Sequence, residues 1–389
     1  MKSHAAGFRY IMILSILATF LLLTSCQING KTASTNEPPD NTPVPTISAP
    51  SATPADTSVP KSIRLAYYTG DDASWESLQM FHSNINALSL DVFTVQSDGT
   101  IKGKDTHAAA TYAHDRGIMT FACISNWNSD PAIDTFDPQL AESAMLTNKD
   151  RFIAESIQLV KDGQYDGINI DLEGIAYTED ITAVREQFSA TMTELAEILH
   201  ENGYLLVISV PVKSVDSPDN TWAYPYDFDV LGQSADYLQL MTYDEHGEWS
   251  APGPIAGLDW VDESVQYAVT WVDPGKLLLG LPAYAKEWSS PLDTNLEGTE
   301  TVNTFTWKES AKVLEAANTE VQWDSAAASP YIYYESDEYS HEFWFEDQES
   351  IRMKTALIGS YNLAGFAMWS LGQEDAQFWQ ATKQDVETP

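Results

Sequence analysis

Eight short apolar runs, rich in β-branched and aromatic residues, recur along the chain and are separated by stretches with helical periodicity. The runs are Ile63–Tyr68, Ala87–Val95, Ile118–Ile124, Gly167–Leu172, Leu205–Val210, Tyr237–Met241, Leu277–Leu281 and Gly365–Trp369. Short apolar runs of this kind read as strands buried on both faces. Strands alternating with helices build a parallel sheet, because each return crossing needs a helix. Among the helical stretches, 151–161 and 184–201 stand out; the second sets Phe188, Met192, Leu195 and Leu199 on one face, with Gly203 as its stop. Eight such units predict an α/β chain folded as a (β/α)8 TIM barrel, which takes about 250 residues before insertions. An open doubly wound sheet is the alternative, but no Gly-rich turn of the dinucleotide type follows the first strand. The surplus length falls at about 286–350, where Trp, Tyr and acidic residues crowd without a clean helical period. That stretch is expected to be a small α+β insertion before the last strand.

Charge narrows the class of partner. The 389 residues hold 57 Asp+Glu against 20 Lys+Arg, a net −37, and all of it lies on residues 61–389. Such a surface repels phosphate backbones, which excludes nucleic-acid binding by phosphate neutralisation. With two cysteines, Cys26 and Cys123, a disulfide framework is excluded too. Cys123 lies inside an apolar run and reads as a core residue.

The N-terminus carries an address. Lys2 and Arg9 precede the apolar run Ile11–Leu23, about 13 residues long and short of the roughly 20 a spanning helix needs. It ends in Leu23-Thr24-Ser25-Cys26, which resembles the lipobox of bacterial lipoproteins. The expectation is a signal peptide over 1–26 with Cys26 as the lipidation site, giving an extracytoplasmic protein anchored to the bacterial cell membrane. Residues 27–60 hold seven Pro and ten Ser/Thr and no aromatic residue, so they are expected to form an extended tether. A single domain over 61–385 follows.

The segment Tyr165-Asp166-Gly167-Ile168-Asn169-Ile170-Asp171-Leu172-Glu173-Gly174 alternates with period two. On a strand, Ile168, Ile170 and Leu172 face one way and Asn169, Asp171 and Glu173 the other. A polar row at a strand's C-terminal end points into a barrel's mouth. Asp171 and Glu173 would stand about 6–7 Å apart along the strand, close enough for one carboxyl to hold its proton near neutral pH. A carboxylic acid in that place suits general-acid cleavage of a glycoside. The spacing also imitates a calcium loop, but the strand pattern of Ile170 and Leu172 opposes that reading. No spacing suited to a metal or cofactor occurs elsewhere.

This segment resembles the DxxDxDxE signature of glycoside hydrolase family 18, with Asp166, Asp171 and Glu173 in place and Asn169 where the middle Asp stands. Gln239-Leu240-Met241-Thr242-Tyr243-Asp244 resembles the family's QxMxYD, and the stretch onward through Pro252-Gly253-Pro254-Ile255-Ala256 resembles its spore-cortex-lytic branch. Gly280-Leu281-Pro282-Ala283-Tyr284, Phe343-Trp344-Phe345-Glu346-Asp347 and Gly365-Phe366-Ala367-Met368-Trp369-Ser370-Leu371-Gly372 continue the likeness, which spans about 61–380.

The resemblance implies catalytic roles for Glu173, Asp171 and Tyr243. It implies substrate contacts for Asn169, Asp166, Gln239, Met241, Asp244 and Trp369. It implies retaining hydrolysis of β-1,4-linked N-acetylglucosamine glycans through the substrate's own acetamido group; no cofactor or metal is expected, and the protein is expected to be a monomer. Peptidoglycan is the expected polymer and chitin oligosaccharides the alternative. From other classes, a non-catalytic glycan-binding lipoprotein and a solute-binding lipoprotein share the anchor and tether. His246, beside the motif, reads as structural or solvent-facing rather than as a base.

Overall fold

A computed structural model describes residues 62–292, 301–336 and 338–383. Cys26, the signal segment 1–26 and the tether 27–60 lie outside the described residues. Eight parallel strands form the ring: β1 (Ile63–Tyr68), β2 (Ala87–Val95), β3 (Met119–Ser125), β4 (Gly167–Asp171), β5 (Leu205–Pro211), β6 (Tyr237–Met241), β7 (Leu277–Pro282) and β8 (Gly365–Trp369). Each pairs with the next in parallel, β8 pairs with β1, and the sheet closes into a (β/α)8 barrel.

Local chemistry sets the helices that make the crossings. The helix Ile181–Glu201 starts where the Asp180 carboxylate accepts the Ala183 N–H at 3.1 Å. It buries Val184, Phe188, Met192, Leu195 and Leu199 against the ring, at about 2 kcal/mol per side chain removed from water. Past its end Gly203 takes a φ of +79°, which a residue with a Cβ adopts only under strain.

Side chains alternate across every strand. Outward residues such as Leu88, Ile168, Leu206 and Leu240 pack beneath the helices, whereas Leu65, Ala87, Phe121, Val207, Leu278 and Ala367 fill the barrel's interior. Toward the C-terminal ends the interior turns polar, with Ser89, Asn169, Ser209 and Gln239 all buried. The barrel therefore has an apolar floor and a polar layer above it.

Between β7 and β8 the chain builds a five-stranded antiparallel sheet from Tyr284–Pro291, Thr301–Thr306, Gln322–Asp324, Ser329–Ser336 and Tyr339–Trp344. One helix, Trp307–Ala317, lies within it. That helix buries Trp307 and Ser310 and lays the partly buried Val313, Leu314 and Ala317 against a small core of Ala285, Ile332 and Phe343, so an apolar face is present where none was expected. Residues 348–350 already begin Gln348–Tyr361, capped by Asp347, so the irregular stretch ends before 350.

Candidate active site

Strand β4 ends by delivering Asp171 and Glu173 to the mouth of the barrel. Glu173 follows the strand, and its main chain is gripped on both sides by the buried Asn126, which comes just after β3. Glu173 N–H donates to Asn126 Oδ1 at 2.8 Å, and Asn126 Nδ2 donates to Glu173 C=O at 2.7 Å. One residue back, the Leu172 carbonyl accepts from the buried Tyr226 hydroxyl at 2.6 Å. The carboxyl of Glu173 is thus presented by a fixed backbone. Burial raises its pKa well above the usual carboxylate range, and the charges of Asp171, Asp244 and Asp91 push in the same direction.

Asp171 points inward and is nearly fully buried, and its Oδ1 has no hydrogen-bond partner in the protein. Asp91 of β2 and Cys123 of β3 converge on it, with one donor atom from each of the three within 4.8 Å of the others. Asp171 is raised in pKa by burial and then by Asp91, against the opposing Ser209 hydroxyl. Two groups this close titrate as a pair.

A chain of hydrogen bonds crosses the polar layer beneath them. Ser89 Oγ donates to Asn169 Oδ1 at 2.8 Å, and Asn169 Nδ2 donates to Ser209 Oγ at 3.0 Å. The Tyr67 hydroxyl lies 3.0 Å from that Ser209 oxygen and donates to Gln239 Oε1 at 3.3 Å. Gln239 Nε2 reaches the Tyr243 hydroxyl at 3.5 Å. Asn169 and Gln239 are therefore brought to the site but fully buried, with their amides spent on the wall. They support the groups above them and have no surface left for substrate.

Tyr243 follows β6 and stands edge-on to Tyr284, 6.4 Å between ring centres. Burial, then Asp171, Glu173 and Asp244, hold its hydroxyl protonated. Trp369 closes β8 and leans on Tyr67 at 5.3 Å. Beside it opens a cleft of about 310 Å³ lined by Asp244, Glu248, Trp249, Tyr284, Lys286 and Trp369, among others. Asp244 there is ion-paired with Lys286, whose ammonium also donates to His246 C=O at 3.0 Å and lies 5.1 Å from the exposed Trp249 ring. Met241 ends β6, almost buried. His246 has its Nδ1 3.0 Å from Pro254 C=O, a loop-bracing contact.

Asp166 is not brought to this site, contrary to the expectation from its place in the motif. It precedes β4, at the opposite end of the barrel, where its carboxylate accepts Thr120 N–H at 2.7 Å and stands 3.4 Å from His114. Asp236, before β6, does the same for Leu206 N–H at 2.7 Å with His200 alongside. Asn86, before β2, takes Arg64 N–H at 2.7 Å. The physical reason is a repeated clamp: the residue before each of these strands ties down the second residue of its neighbour. The glycine after Asp166 is likewise structural, since a Cβ on Gly167 would lie 2.2 Å from Leu205 C=O.

Three participants, Asn126, Asp91 and Lys286, belong to no motif picked out in the sequence. A lone acid in the run Ala-Leu-Ser-Leu-Asp-Val-Phe is the one mark in the sequence by which Asp91 stands out, and there it reads only as part of a strand.

Comparisons with known proteins agree with this geometry. The family described as glycosyl hydrolases family 18 matches residues 64–374. The uncharacterized glycosylase YvbX of Bacillus subtilis is 34% identical over 322 residues, 82% of this chain and 90% of its own. The cortical fragment-lytic enzyme of Bacillus subtilis is 23% identical over 288 residues, 74% of this chain and 64% of its own. Among solved structures, a chitinase from Chromobacterium violaceum superposes with a TM-score of 0.77 at 28% identity, over 84% of this chain and all of its own. A matched barrel, a carboxyl pair at its mouth and relatives of this kind lead to one conclusion: the chain belongs to glycosyl hydrolases family 18 and is a glycoside hydrolase.

Proposed function

We propose that this enzyme hydrolyses β-1,4-linked N-acetylglucosamine glycans with retention, using the substrate's acetamido group as nucleophile, and that its polymer is peptidoglycan at the cell envelope. The observation that carries the reading is the carboxyl of Glu173, fixed at the mouth by Asn126 and held protonated by burial beside Asp171. Its proton passes to the glycosidic oxygen as the C1–O bond breaks and the acetamido oxygen bonds to C1. The acetamido N–H meets the unpartnered Oδ1 of Asp171, whose carboxylate balances the charge of the oxazolinium ring. The Tyr243 hydroxyl donates to the acetamido oxygen and holds its line of attack, while Trp369 lies under the sugar. Glu173, now a carboxylate, takes a proton from water as the oxygen of that water adds to C1 and the ring opens. Configuration at C1 is retained.

The likeness to cortical fragment-lytic enzymes supports peptidoglycan. So does the N-terminal segment, which we read as a signal peptide with a lipid on Cys26 and a tether holding the barrel above the membrane. Chitin oligosaccharides are the second reading, favoured by the likeness to the Chromobacterium chitinase.

The test incubates the purified full chain and its Glu173→Gln variant with peptidoglycan and with chitin oligosaccharides, following reducing ends. Wild type should release ends, and the variant should lose at least about 10²-fold. Equal release by both would refute the assignment; binding by both with no release would leave a glycan-binding protein. The polymer preferred by wild type decides between the two substrates. Palmitate labelling that survives Cys26→Ser would remove the anchor.

A further inference from the structure

Asp91 is an acid in an otherwise apolar or hydroxylic strand, and β2 is shaped to aim it. Ala87, Ser89 and Asp91 face the interior in register with Met119, Phe121 and Cys123 of β3. The register then shifts between Asp91 and Phe93, which leaves Val92 as an extra residue and turns Phe93 outward into the core beneath the helices. A bulge of this kind re-aims side chains at a sheet's rim. Here it leaves Asp91 facing inward below Thr94, with a donor atom within 4.8 Å of those of Cys123 and Asp171. Asp171 has no acidic neighbour on its own strand face below it, because Asn169 stands there with its amide committed to Ser89 and Ser209.

We propose that Asp91 is the proton-sharing partner of Asp171, supplying from β2 a second carboxyl that β4 lacks at Asn169. The inference rests on the reading of Asp171 as the group that meets the acetamido N–H. In the free enzyme one proton lies between the two carboxyls. When substrate arrives, the O–H bond on Asp171 breaks and one forms on Asp91, so Asp171 faces the developing oxazolinium as an anion while Asp91 becomes neutral. No proton enters or leaves the site. Asp91 touches no reacting atom, so it is a positioning residue for charge.

The surroundings fit that exchange. Asp91 is raised in pKa by burial, against the Cys123 thiol and the more distant Lys104 ammonium. Cys123 itself is held as a neutral thiol by burial and by both aspartates. The other titratable groups felt by Asp171 or sensing it are Glu173, Tyr67, Tyr226 and Tyr243, and the three tyrosines are kept neutral by burial. Lys104 is the cation that acts on Asp91, and beyond it sharing a proton is how the half-buried Asp91 and the buried Asp171 coexist.

The test uses the full chain and Asp91→Asn, which keeps shape and removes the charge. In 13C spectra of the aspartate carboxyls, wild type should show Asp91 and Asp171 titrating in linked steps. In Asp91→Asn the Asp171 signal should titrate once, at lower pH, because the neighbouring charge is gone. In kinetics the variant should lose about 10²-fold in kcat with little change in KM. Its alkaline limb, set by Glu173, should hold, since the pair carries one negative charge when the proton is shared and Asp171 carries it alone in the variant. Adding Asn169→Asp should restore part of the loss by returning a carboxyl to β4. Independent titration of the two aspartates in wild type would overturn the inference, as would a kcat loss that Asn169→Asp does not restore. Loss of activity on chelation, restored by a divalent ion, would also overturn it by placing a cation between the carboxyls. A wild type inert on every polymer would sink the proposed function instead, and the spectra would still decide whether the proton is shared.

Discussion

Asn126→Ala tests whether the acid at the mouth is positioned by its backbone. The asparagine makes three hydrogen bonds from a fully buried site: it accepts from Glu173 N–H at 2.8 Å, and it donates to Glu173 C=O at 2.7 Å and Asp137 C=O at 3.1 Å. Each is worth about 1 kcal/mol net, so truncation should cost about 2–3 kcal/mol of unfolding free energy, with water meeting part of the need at the rim. The larger effect is on chemistry. A displacement of about 1 Å in a reacting group costs on the order of 10²-fold, and Glu173 is the group released. The side of the groove built by Tyr243 after β6, Lys286 on the inserted sheet's strand Tyr284–Pro291 and Trp369 at the end of β8 stays in place. The expectation is therefore a fall in kcat of about 10²-fold with KM nearly unchanged, read by reducing-end release beside urea unfolding curves. Asn126→Asp adds a signature, because its carboxylate still accepts the Glu173 N–H but opposes two carbonyls. Its charge should raise Glu173 further, carrying the alkaline limb of the rate upward. Wild-type kcat in Asn126→Ala, with stability lowered as expected, would refute the reasoning and pass the positioning role to Tyr226.

Three further outcomes follow from the same contacts. Glu173 is raised in the folded state, so the native chain binds more protons than the unfolded one above about pH 4, and stability falls as pH rises through that window. Glu173→Gln should be more stable than wild type at neutral pH and no different near pH 3; a melting difference constant with pH would contradict this. Lys354 and Glu346 form a buried ion pair at 2.8 Å, and Lys354→Met strands the carboxylate, which should cost about 3–5 kcal/mol in urea unfolding. A loss under about 1 kcal/mol would mean that Ser350, 2.6 Å from the same oxygen, satisfies it alone. Trp249 is 68% exposed over Lys286, so Trp249→Ala should raise KM for long oligosaccharides by about 2–10-fold through lost stacking, without moving the melting point; an unchanged KM would place the sugar chain elsewhere.

The ring was legible because its strands are short, apolar and bounded, and all eight expected strands begin and end within one residue of those observed. The centre of the site was legible where its residues share one strand: Asp171 and Glu173 meet as period two requires. Asp166 misled because a motif is linear and a strand is not, so five residues of β4 carry its two ends to opposite faces of the barrel. Asn126, Asp91 and Lys286 come from three other places in the chain and act on the site only after closure. No local periodicity marks them. The helix Trp307–Ala317 does carry an apolar stripe of Trp307, Val313, Leu314 and Ala317, but it is short and set among strands, which masked its period.

Asn169 and Asp91 are best understood together. The polar layer is buried, and each additional carboxylate placed in it carries a desolvation cost unless paired or protonated. With Asp91 and Asp171 already facing each other, an aspartate at 169 would add a third acid to one buried cluster, and its oxygens would meet Ser89 and Ser209 without the donor that Asn169 Nδ2 gives Ser209. An amide is the side chain that fits: it accepts from one serine, donates to the other and adds no charge. On this argument Asn169→Asp alone should lower both stability and kcat, yet improve kcat when Asp91 is already Asn. A change of sign between the two backgrounds is the mark of two positions competing to supply one carboxyl. Simple additivity of the two substitutions, measured as kcat in the four chains of the cycle, would show that they do not.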